Sequence, residues 1–312
     1  MPSQFIRQVN LIVSNASKGL DLSAFRIVFM TSQSDFQTLN TMKARVYNLS
    51  DETSRQIQKE YSDVTLQAGY KDGNLAIIFK GTIKQVKRGR ESQTETYTEI
   101  FAADGDDFYT YGTVNKTLAA GWTQKDAIAA ATQAGGGTLG TVKFASILNP
   151  APRGKVMYGM ARLQLQRSAA STLTAWSIQN GKVTVTPITG YSDGEVVVIN
   201  SATGMVGLPE QTEDGLSVAC LLNPKIVIGT QIQIDQKSVQ KASIPNDAQF
   251  LSLPKDQLDK TDFYPPTADD GFYKVLASEH EGDTRGNDFL THIIALAIDK
   301  TAPQDSSVKA SG

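Results

Sequence analysis

Residues 201–235 read SATGMVGLPEQTEDGLSVACLLNPKIVIGTQIQID, and their alternation decides the fold class. Apolar side chains recur at even-numbered positions on both sides of a turn at Asn223-Pro224. The series comprises Leu216, Val218, Cys220, Leu222, Ile226, Ile228, Ile232 and Ile234. A period of two is typical of strands that bury one face. The stretch therefore predicts half-buried β-strands.

A segment rich in glycine and acidic residues precedes this series. About sixteen residues separate Ile199 from Leu216, and a connection of that length is interpreted as a functional or mobile loop. Backbone bends are expected at Gly204, Gly207, Pro209 and Gly215. Glu210, Glu213 and Asp214 have no candidate base or nucleophile nearby in sequence, so the loop is not interpreted as catalytic.

Toward the C-terminus the β pattern returns after an interruption. Residues 241–270 are rich in Pro and Asp and are predicted to be loop-like. GFYKVLASEH and NDFLTHIIALAI then predict two more strands. We take residues 187–300 as a second β domain and residues 301–312 as a disordered polar tail.

Toward the N-terminus a first β domain is predicted over residues 1–110. FRIVFM, KARVYN, DVTLQAGY, NLAIIFKGTIKQV and TETYTEIF alternate apolar and polar residues. One short helix interrupts these strands. Ser50 is a suitable N-cap for it, and Asp51 and Glu52 complement the helix dipole in the first turn.

Residues 111–186 form a middle region with helical signals. Thr123 can cap one helix with Asp126 three residues later, and Gly135 is expected to take the left-handed conformation after its end. A second amphipathic helix is predicted within RGKVMYGMARLQLQRSAAST. Its buried face is expected to carry Val156, Met160, Leu163 and Ala170.

A β-hairpin closes the middle region. TAWSIQNGKVTV contains Asn180-Gly181, two residues that tolerate the positive φ angles of a type I′ turn. Counting outward from this turn predicts that Trp176 pairs with Val185 and Ile178 with Val183 on an apolar face. The opposite face pairs Ser177 with Thr184 and Gln179 with Lys182.

Composition narrows the classes of function. The 312 residues include 30 Lys or Arg and 32 Asp or Glu, and a net charge of −2 argues against nucleic-acid binding through bulk electrostatics. The charges are interpreted as mixed along the chain. The single cysteine, Cys220, is expected to be a small buried residue, and it gives no reason to place the chain in an oxidising compartment.

Targeting signals are not apparent in the sequence. The N-terminal residues do not resemble a signal peptide, and no apolar run reaches the length of a membrane helix, so we expect synthesis in the cytoplasm and no membrane segment.

GGGTLG at 135–140 matches the glycine spacing of a dinucleotide site. That fingerprint must follow a strand and open a helix, whereas here the predicted order is reversed. We interpret it as the end of a helix and a turn, and we predict no cofactor.

SEHEGDTRGNDF at 278–289 collects His280, Glu281, Asp283, Arg285 and Asp288. These residue types can bind metal or transfer protons. A structured polar turn between two strands explains the same composition, and we predict neither catalytic nor metal-binding residues.

KQVKRGR contains four basic residues, Lys84, Lys87, Arg88 and Arg90, around Gly89. We interpret it as a hairpin tip, with contact to a phosphate or an acidic partner as the alternative.

In this order the motifs resemble the baseplate hub proteins of contractile-tailed bacteriophages, the family of the phage Mu and T4 hubs and the phage P2 late-control D protein. The segments that carry the resemblance extend over roughly residues 5–300. They are ARVYNLSDETSRQIQ, DVTLQAGY, IIFKGTIKQVKRGR, AWSIQNGKVTVTP, INSATGMVGLPEQTEDGLSVACLLNPKIVIG and YKVLASEHEGDTRGNDFLTHIIA.

The resemblance implies a β-rich α+β chain with two tail-tube-like β domains and a small helical and hairpin middle region. Three such chains would form a pseudo-sixfold ring. The implied role is a homotrimeric hub in the virion that joins the hexameric tail tube to the tail spike. Baseplate wedge and tape-measure proteins would be further partners, and DNA would pass through without specific binding. Candidate assembly contacts are Gly204, Gly207, Pro209, Glu210, Glu213, His280, Asp283 and Arg285.

Two alternative functions remain open at this point. A cell-wall hydrolase associated with the tail tip is motivated by the polar cluster from His280 to Asp288. A module that binds the host surface is motivated by the β content, although two Trp in the chain offer little surface for stacking on sugars.

Overall fold

The computed structural model describes residues 6–35, 38–71, 73–145, 149–192, 194–212, 214–235, 239, 268 and 271–297. The predictions for the loop at 241–270, apart from residue 268, and for the tail at 301–312 lie outside these residues. Four helices are present in the described part: α1 Asp51–Glu60, α2 Asp106–Tyr111, α3 Gln124–Ala134 and α4 Ala161–Ser171. Among the described residues, no helix has the length and apolar character needed to cross a membrane.

Strands dominate the described chain. In chain order they are β1 Arg7–Ser14, β2 Gly19–Asp21, β3 Ile27–Ser34, β4 Thr41–Tyr47, β5 Asp63–Tyr70, β6 Ala76–Arg90, β7 Thr96–Ala103, β8 Thr113–Leu118, β9 Thr138–Val142, β10 Lys155–Met160, β11 Thr174–Gln179, β12 Lys182–Pro187, β13 Val197–Ile199, β14 Met205–Thr212, β15 Gly215–Leu221, β16 Gln231–Ile234, β17 Phe272–Asp283 and β18 Phe289–Ala297. The prediction of a β-rich chain with few helices is confirmed.

One large sheet contains 13 strands, which come from both the N-terminal and the C-terminal part of the sequence. Its order is β14-β15-β18-β17-β3-β4-β7-β6-β5-β1-β2, and β16 joins β17 to β13. The junction is the antiparallel pair of β17 with β3, which extends from Ala277 opposite Ser34 to Asp283 opposite Val28. Two β regions that are far apart in sequence therefore share a single ladder of backbone hydrogen bonds.

Three hydrophobic clusters lie along the chain. The first is built mainly from β1 and β3 to β7 with α1, and its largest fully buried side chains include Phe29 and Phe79. The second contains the whole even-numbered series from Leu216 to Ile234 apart from Leu222, which packs in the first cluster. All eight members of that series are buried, as predicted. Ile226 and Ile228 are nevertheless not in a strand, because residues 224–225 and 228–229 form turns.

The third cluster lies in the middle region, where Ala127, Leu165 and Trp176 are buried together. Its elements are α3 and α4, the pair β8–β10, and the three-stranded sheet β11-β12-β9. GGGTLG runs from the end of α3 into β9, which confirms the order of helix before strand.

The predicted helix caps are confirmed. Ser50 accepts a hydrogen bond from the Thr53 N–H at the start of α1, and Thr123 and Asp126 form a reciprocal capping box at the start of α3. One detail is wrong. Gly135 has φ −77° and closes α3 in a right-handed conformation, whereas the left-handed residue is Gly136 at φ 79°.

The prediction of one amphipathic helix within residues 153–172 is wrong in its first half. Lys155–Met160 forms strand β10, and α4 begins only at Ala161. Gly159 has φ 108°, which few other residues adopt, and this backbone bend separates strand from helix. Val156 is consequently exposed. The predicted buried face is also wrong within α4, because Leu163 and Ala170 are exposed. The buried face of α4 is formed by Ala161, Gln164, Leu165, Ser168 and Ala169.

The hairpin register is confirmed. Trp176 lies opposite Val185 and Ile178 opposite Val183, while Asn180 and Gly181 have φ angles of 53° and 80°. The polar face of the hairpin is less exposed to solvent than expected, because Ser177 on that face is also buried.

Candidate assembly surfaces

The segment predicted as a long loop before Leu216 is mostly strand. β14 pairs with β15 from Met205 opposite Cys220 to Thr212 opposite Gly215. Between Val206 and Glu210 the register shifts, so the extra residues form a bulge instead of ending the strand. Gly207 lies in this bulge with φ 74°. Gly204, Gly207 and Gly215 mark backbone bends, as predicted, but the bends occur inside a hairpin.

The predicted contact residues of this hairpin occupy different environments. Gly204 has φ 101° and accepts a hydrogen bond from the Leu221 N–H at 2.8 Å. Pro209 is buried, whereas Glu210 is exposed. Glu213 lies outside the described residues.

β14 forms one end of the large sheet and exposes apolar side chains. Val206 is 42% exposed and Leu208 is 54% exposed. A strand at a sheet edge presents unpaired backbone groups, and exposed apolar side chains beside them mark a surface that favours association. This edge strand is the first candidate assembly surface.

The turn between β17 and β18 and the strand end before it hold two further predicted contacts. The Arg26 guanidinium donates to the Asp283 carboxylate at 2.7 Å, and Arg7 donates to the carbonyls of Gly286 and Asn287 at 2.8 Å. Burial disfavours ionisation of Asp283, but hydrogen bonds from Arg26 and from the Arg285 N–H outweigh it and lower the pKa of Asp283. The Arg285 side chain remains exposed, so it can meet a partner.

His280 is internal. Its Nδ1 lies 2.9 Å from the Thr291 hydroxyl on β18, and its backbone N–H donates to Thr31 on β3. Complete burial lowers the pKa of His280 to about 4, so the ring is neutral at pH 7. The side chain packs inside the sheet junction and presents nothing to the outside. The described residues contain no group of three or more His, Cys, Asp or Glu that could hold a metal ion.

The basic group at 84–90 is not a hairpin tip, which corrects the interpretation from the sequence. Strand β6 extends through Arg90, and the turn follows at residues 91–95. Lys84 pairs with Asp106, Arg88 pairs with Asp51, and the Lys87 ammonium lies 5.0 Å from the centre of the Phe101 ring. Three of the four basic side chains are thus engaged within the chain. Cys220 is buried as expected, and burial raises the pKa of its thiol to about 12.

A second exposed apolar surface was missed in the sequence. β8 and β10 form a two-stranded ribbon whose inner face buries Val114 and Met157. Its outer face carries Val156 at 74% and Tyr158 at 77% exposure. Neither strand pairs with a third strand in the described part of the chain. The signal available in the sequence was Gly159, which marks the end of a strand within the predicted helix.

Charge is unevenly distributed along the chain, and the formal net charge of −2 does not reveal this. Residues 111–186 contain eight Lys or Arg and one acidic residue, a formal charge of +7. Residues 187–312 contain nine basic and eighteen acidic residues, a formal charge of −9, and residues 1–110 contain thirteen of each. The interpretation that charges are mixed along the chain is wrong, and counting by region would have corrected it.

The basic side chains of the middle region are not neutralised by close neighbours. Within the described ranges, seven of them form no ion pair: Lys116, Lys125, Arg153, Lys155, Arg162, Arg167 and Lys182. Burial, and to a smaller extent the nearby Arg167, lowers the pKa of Lys155, whose ammonium lies 4.7 Å from the centre of the Trp122 ring. The ribbon β8–β10 and its surroundings are the second candidate assembly surface.

Comparison with known proteins places the fold. No protein-family model and no curated protein matches the sequence. Among solved structures, the chain is similar to the 43 kDa tail protein of prophage MuSo2 from Shewanella oneidensis, with a TM-score of 0.56 and 7% identity over 94% of this chain and 97% of that one. A tail protein from Neisseria meningitidis MC58 gives a TM-score of 0.58 and 11% identity over 93% of this chain and 96% of that one.

A third similar structure comes from a secretion system. The E. coli c3393 protein, a component of the type VI secretion system with structural similarity to the T4 bacteriophage tail proteins gp27 and gp5, gives a TM-score of 0.53 and 11% identity. The match covers 90% of this chain and 76% of that one. The chain thus has the fold of phage tail proteins, and the resemblance found in the order of its motifs is confirmed at the level of the fold.

Proposed function

We propose that this chain is a structural, non-enzymatic component of a phage tail, acting as a homotrimeric central hub of the baseplate. In this role it joins the hexameric tail tube to the tail spike and forms part of the conduit for DNA. The proposed location is the virion, after synthesis in the cytoplasm of the host bacterium. Wedge and tape-measure proteins are the proposed neighbours in the baseplate.

One observation carries the proposal: two β regions share a continuous sheet within a fold that phage tail proteins have over almost their whole length. We divide the chain into a first tube-like domain at 1–110, a middle region at 111–186 and a second tube-like domain at 187–300. Three copies would present six β domains, which matches the symmetry of a hexameric tube. The pairing of β3 with β17 supports this arrangement, because it joins both domains of one chain in a single sheet.

The exposed edge at β14 supports assembly with other chains. In the described part of the chain the outer edge of β14 has no partner strand, and with Val206 and Leu208 exposed beside it this edge is a liability for a free monomer and a contact for a subunit of a ring. We include Gly204, Gly207, Pro209, Glu210 and Arg285 among the proposed contacts. His280 and Asp283 support these surfaces from inside the chain, since both are buried and bonded internally. Glu213 stays a proposed contact on sequence grounds alone.

The hydrolase alternative is not favoured by the arrangement of its candidate residues. His280 is enclosed in the sheet junction, and the Asp283 carboxylate is held by Arg26 and by the backbone of the turn. Glu281 bonds to His292 on the outer side of the strand pair at 2.9 Å. Glu281, Asp283 and Asp288 line one pocket with Lys43 and Arg45, but His280 lies on the opposite face of β17 and does not share that pocket.

Light scattering after size exclusion, followed by electron microscopy of the purified oligomer, tests the proposal. The expected result is a trimer whose averaged images show a ring with six similar densities. Mixing with the tail tube protein of the same phage is expected to place this ring at one end of the tube. A chain that stays monomeric at high micromolar concentration and joins neither tube nor spike protein would contradict the proposal.

A further inference from the structure

Three cationic side chains of the middle region lie together at the inner side of the ribbon β8–β10. They are Lys116 on β8, Lys155 on β10 and Arg167 on α4, in a region whose formal charge is +7. We propose that they form a binding site for the phosphate groups of a nucleic-acid backbone. This inference goes beyond the proposed hub, in which DNA passes without specific binding, and it does not depend on the trimer.

The register of the ribbon places two of these cations next to each other. The buried Met157 lies opposite Lys116, and Lys155 lies opposite Leu118. Because side chains alternate along a strand, Lys116 and Lys155 extend on the inner face, which carries Met157. Diagonal neighbours on one face of a strand pair lie about 7–8 Å apart, so the two ammonium groups can act on one ligand.

The helix α4 brings the third cation to the same place. After the bend at Gly159 the helix turns back against the inner face, where Leu165 shares a hydrophobic cluster with Met157. Arg167 follows two residues later and is exposed. Burial lowers the pKa of Lys155, and the charge of Arg167 adds to this effect, which shows that the two cations are near neighbours.

The cluster has no counter-charge within the described part of the chain. None of its three cations forms an ion pair with a described residue. Asp126 is the single acidic residue in the sequence between 111 and 186, and its carboxylate accepts hydrogen bonds from the Thr123 N–H at 2.8 Å and hydroxyl at 2.7 Å. The carboxylate is thus used to cap α3, and a bound anion would relieve the repulsion among the cations.

An aromatic ring borders the cluster. The Lys155 ammonium lies 4.7 Å from the centre of the Trp122 ring, and the indole N–H of Trp122 donates to the Arg153 carbonyl at 2.9 Å. The Arg153 side chain is exposed and forms no ion pair with a described residue, so it adds positive charge at this end of the ribbon. Clustered cations beside an aromatic ring are typical of surfaces that contact nucleic acids.

The surroundings favour phosphate over an acidic protein. The exposed apolar side chains of the ribbon, Val156 and Tyr158, lie on its other face, so a protein that covered the cations would bury little apolar surface there. Protein interfaces usually have an apolar centre, whereas interfaces with nucleic acids are more polar and more strongly positive. The guanidinium of Arg167 can donate two parallel hydrogen bonds to one phosphate, and the lysines can contact its neighbours as point charges.

Binding of a labelled DNA duplex of about 20 base pairs to the full chain tests the inference. Fluorescence anisotropy measures the association constant between 50 and 200 mM salt. Three phosphate contacts predict a slope of about −2.7 for the logarithm of this constant against that of the salt concentration, a loss of about 40-fold over the range. Lys116→Gln and Arg167→Gln should each weaken binding and reduce the slope by about 1. Arg167→Lys keeps the charge and should preserve the slope.

A matched control is Lys182→Gln. Lys182 is exposed at the β11–β12 turn, in another sheet of the middle region, and forms no ion pair with a described residue. This variant should bind the duplex like the wild type, and thermal melting establishes that every variant is folded. Equal weakening by Lys182→Gln would mean that only the total charge of the region matters, and the assigned site would be wrong.

Trp122 gives a measurement at the site itself. The chain has two tryptophans, so Trp176→Phe leaves Trp122 as the only indole. Its emission should change when unlabelled duplex is added, because phosphate draws the Lys155 ammonium away from the ring, and the midpoint should equal that of the anisotropy titration. Unchanged emission at saturating DNA would show that the duplex binds elsewhere and would overturn the inference.

Other polyanions distinguish the class of ligand. Polyglutamate of matched charge and vesicles with anionic headgroups should bind at least about tenfold more weakly than the duplex. If either binds as tightly as DNA and is lost in Lys116→Gln, the cations serve an acidic protein or a lipid surface and the inference is wrong. A trimer that does not bind DNA at 50 mM salt keeps the hub proposal and removes this site, whereas a monomer that binds DNA at the cluster does the reverse.

Discussion

The ammonium group of Lys274 on β17 lies 3.4 Å from the carboxylate of Asp35, which follows β3, and both side chains are largely buried. The same ammonium donates a hydrogen bond to the carbonyl of Pro187 at 2.8 Å. Burial lowers the pKa of Lys274 and raises that of Asp35, and their mutual attraction opposes both shifts. One side chain thus connects the two β regions with Pro187, the last residue of hairpin strand β12.

Replacing Lys274 by Met should destabilise the chain by about 3–5 kcal/mol, because the Asp35 carboxylate is left buried without a counter-charge. Urea denaturation at pH 7 measures the loss. Lys274→Met combined with Asp35→Leu should recover most of it. The exposed pair Lys225–Glu195 serves as a control, and Lys225→Met should cost less than about 1 kcal/mol. Equal costs for the two lysines would show that the internal pair is dispensable.

Protonation of His280 should make the fold less stable in acid. Its folded-state pKa of about 4 lies below the ordinary value of 6.5, so the unfolded chain binds more protons between these values. The contribution is complete above pH 6.5 and is lost as the pH falls toward 4. Across this range His280→Gln should reduce the acid-induced loss of unfolding free energy by up to about 3 kcal/mol, measured by urea titration at several pH values. If the unfolding free energies of the wild type and the His280→Gln variant depended identically on pH, this role of His280 would be contradicted.

Asp104 should change the stability of the fold with pH in the opposite direction to His280. Burial raises its pKa to about 6, although the carboxylate accepts a hydrogen bond from the Gly181 N–H at 2.7 Å. The folded chain therefore binds this proton more tightly, and the associated stability is complete below pH 3.8 and lost as the pH rises through 6. Asp104→Asn keeps an oxygen acceptor and removes the titration. As the pH rises from 4 to 7, the unfolding free energy of the variant should increase relative to the wild type by up to about 3 kcal/mol. Parallel curves of unfolding free energy against pH for the two proteins would refute the effect.

Trp176 should be a large contributor to the stability of the middle region. It is 2% exposed, lies opposite Val185 and stacks on Tyr109 with ring centres 6.4 Å apart. Trp176→Ala should cost about 3–5 kcal/mol in the unfolding free energy. Trp176→Phe should cost less, since the indole N–H has no hydrogen-bond partner among the described residues. An unchanged melting temperature in the Ala variant would show that the hairpin packs differently.

Gly207→Val should impair assembly more than folding. No atom lies within 4 Å of an added Cβ, but the backbone has φ 74°, which a β-branched residue adopts only with strain. The bulge would relax and move the exposed edge of β14. Light scattering should show a reduced trimer fraction, while thermal melting changes little. Gly19→Val, at an open position without positive φ, is the control. Normal assembly of the Gly207 variant would mean that the bulge is not part of a contact.

The sequence predicted the local structure well where one physical rule dominated. The two-residue turn at Asn180-Gly181 determined the hairpin register, and the caps at Ser50 and Thr123 located two helices. Prediction failed where one pattern fitted two structures. Val156 and Met160 have helical spacing, but they also suit a short strand that ends at the bend of Gly159.

Contacts between residues far apart in the sequence were harder to predict. The pairing of β17 with β3 depends on which strand edges remain free after local hairpins have formed, and no motif in either strand specifies its partner. His280 illustrates the consequence: in the sequence it belongs to a polar cluster, whereas the strands on both sides enclose it in the structure. The opposite charges of the middle and C-terminal regions required only counting, yet their relevance depended on seeing which side chains remain unpaired.

The pairing of β3 with β17 also has a consequence for biosynthesis. Ser34 meets Ala277, so about 240 residues must leave the ribosome after β3 before its partner strand is available, which takes roughly 10–50 s at about 5–20 residues per second. During that interval β3 can pair only with β4, so its other edge stays unpaired in the nascent chain. Neighbouring ribosomes on one message hold several such edges close together, so the rate of translation influences whether copies join in the native way or entangle through β3.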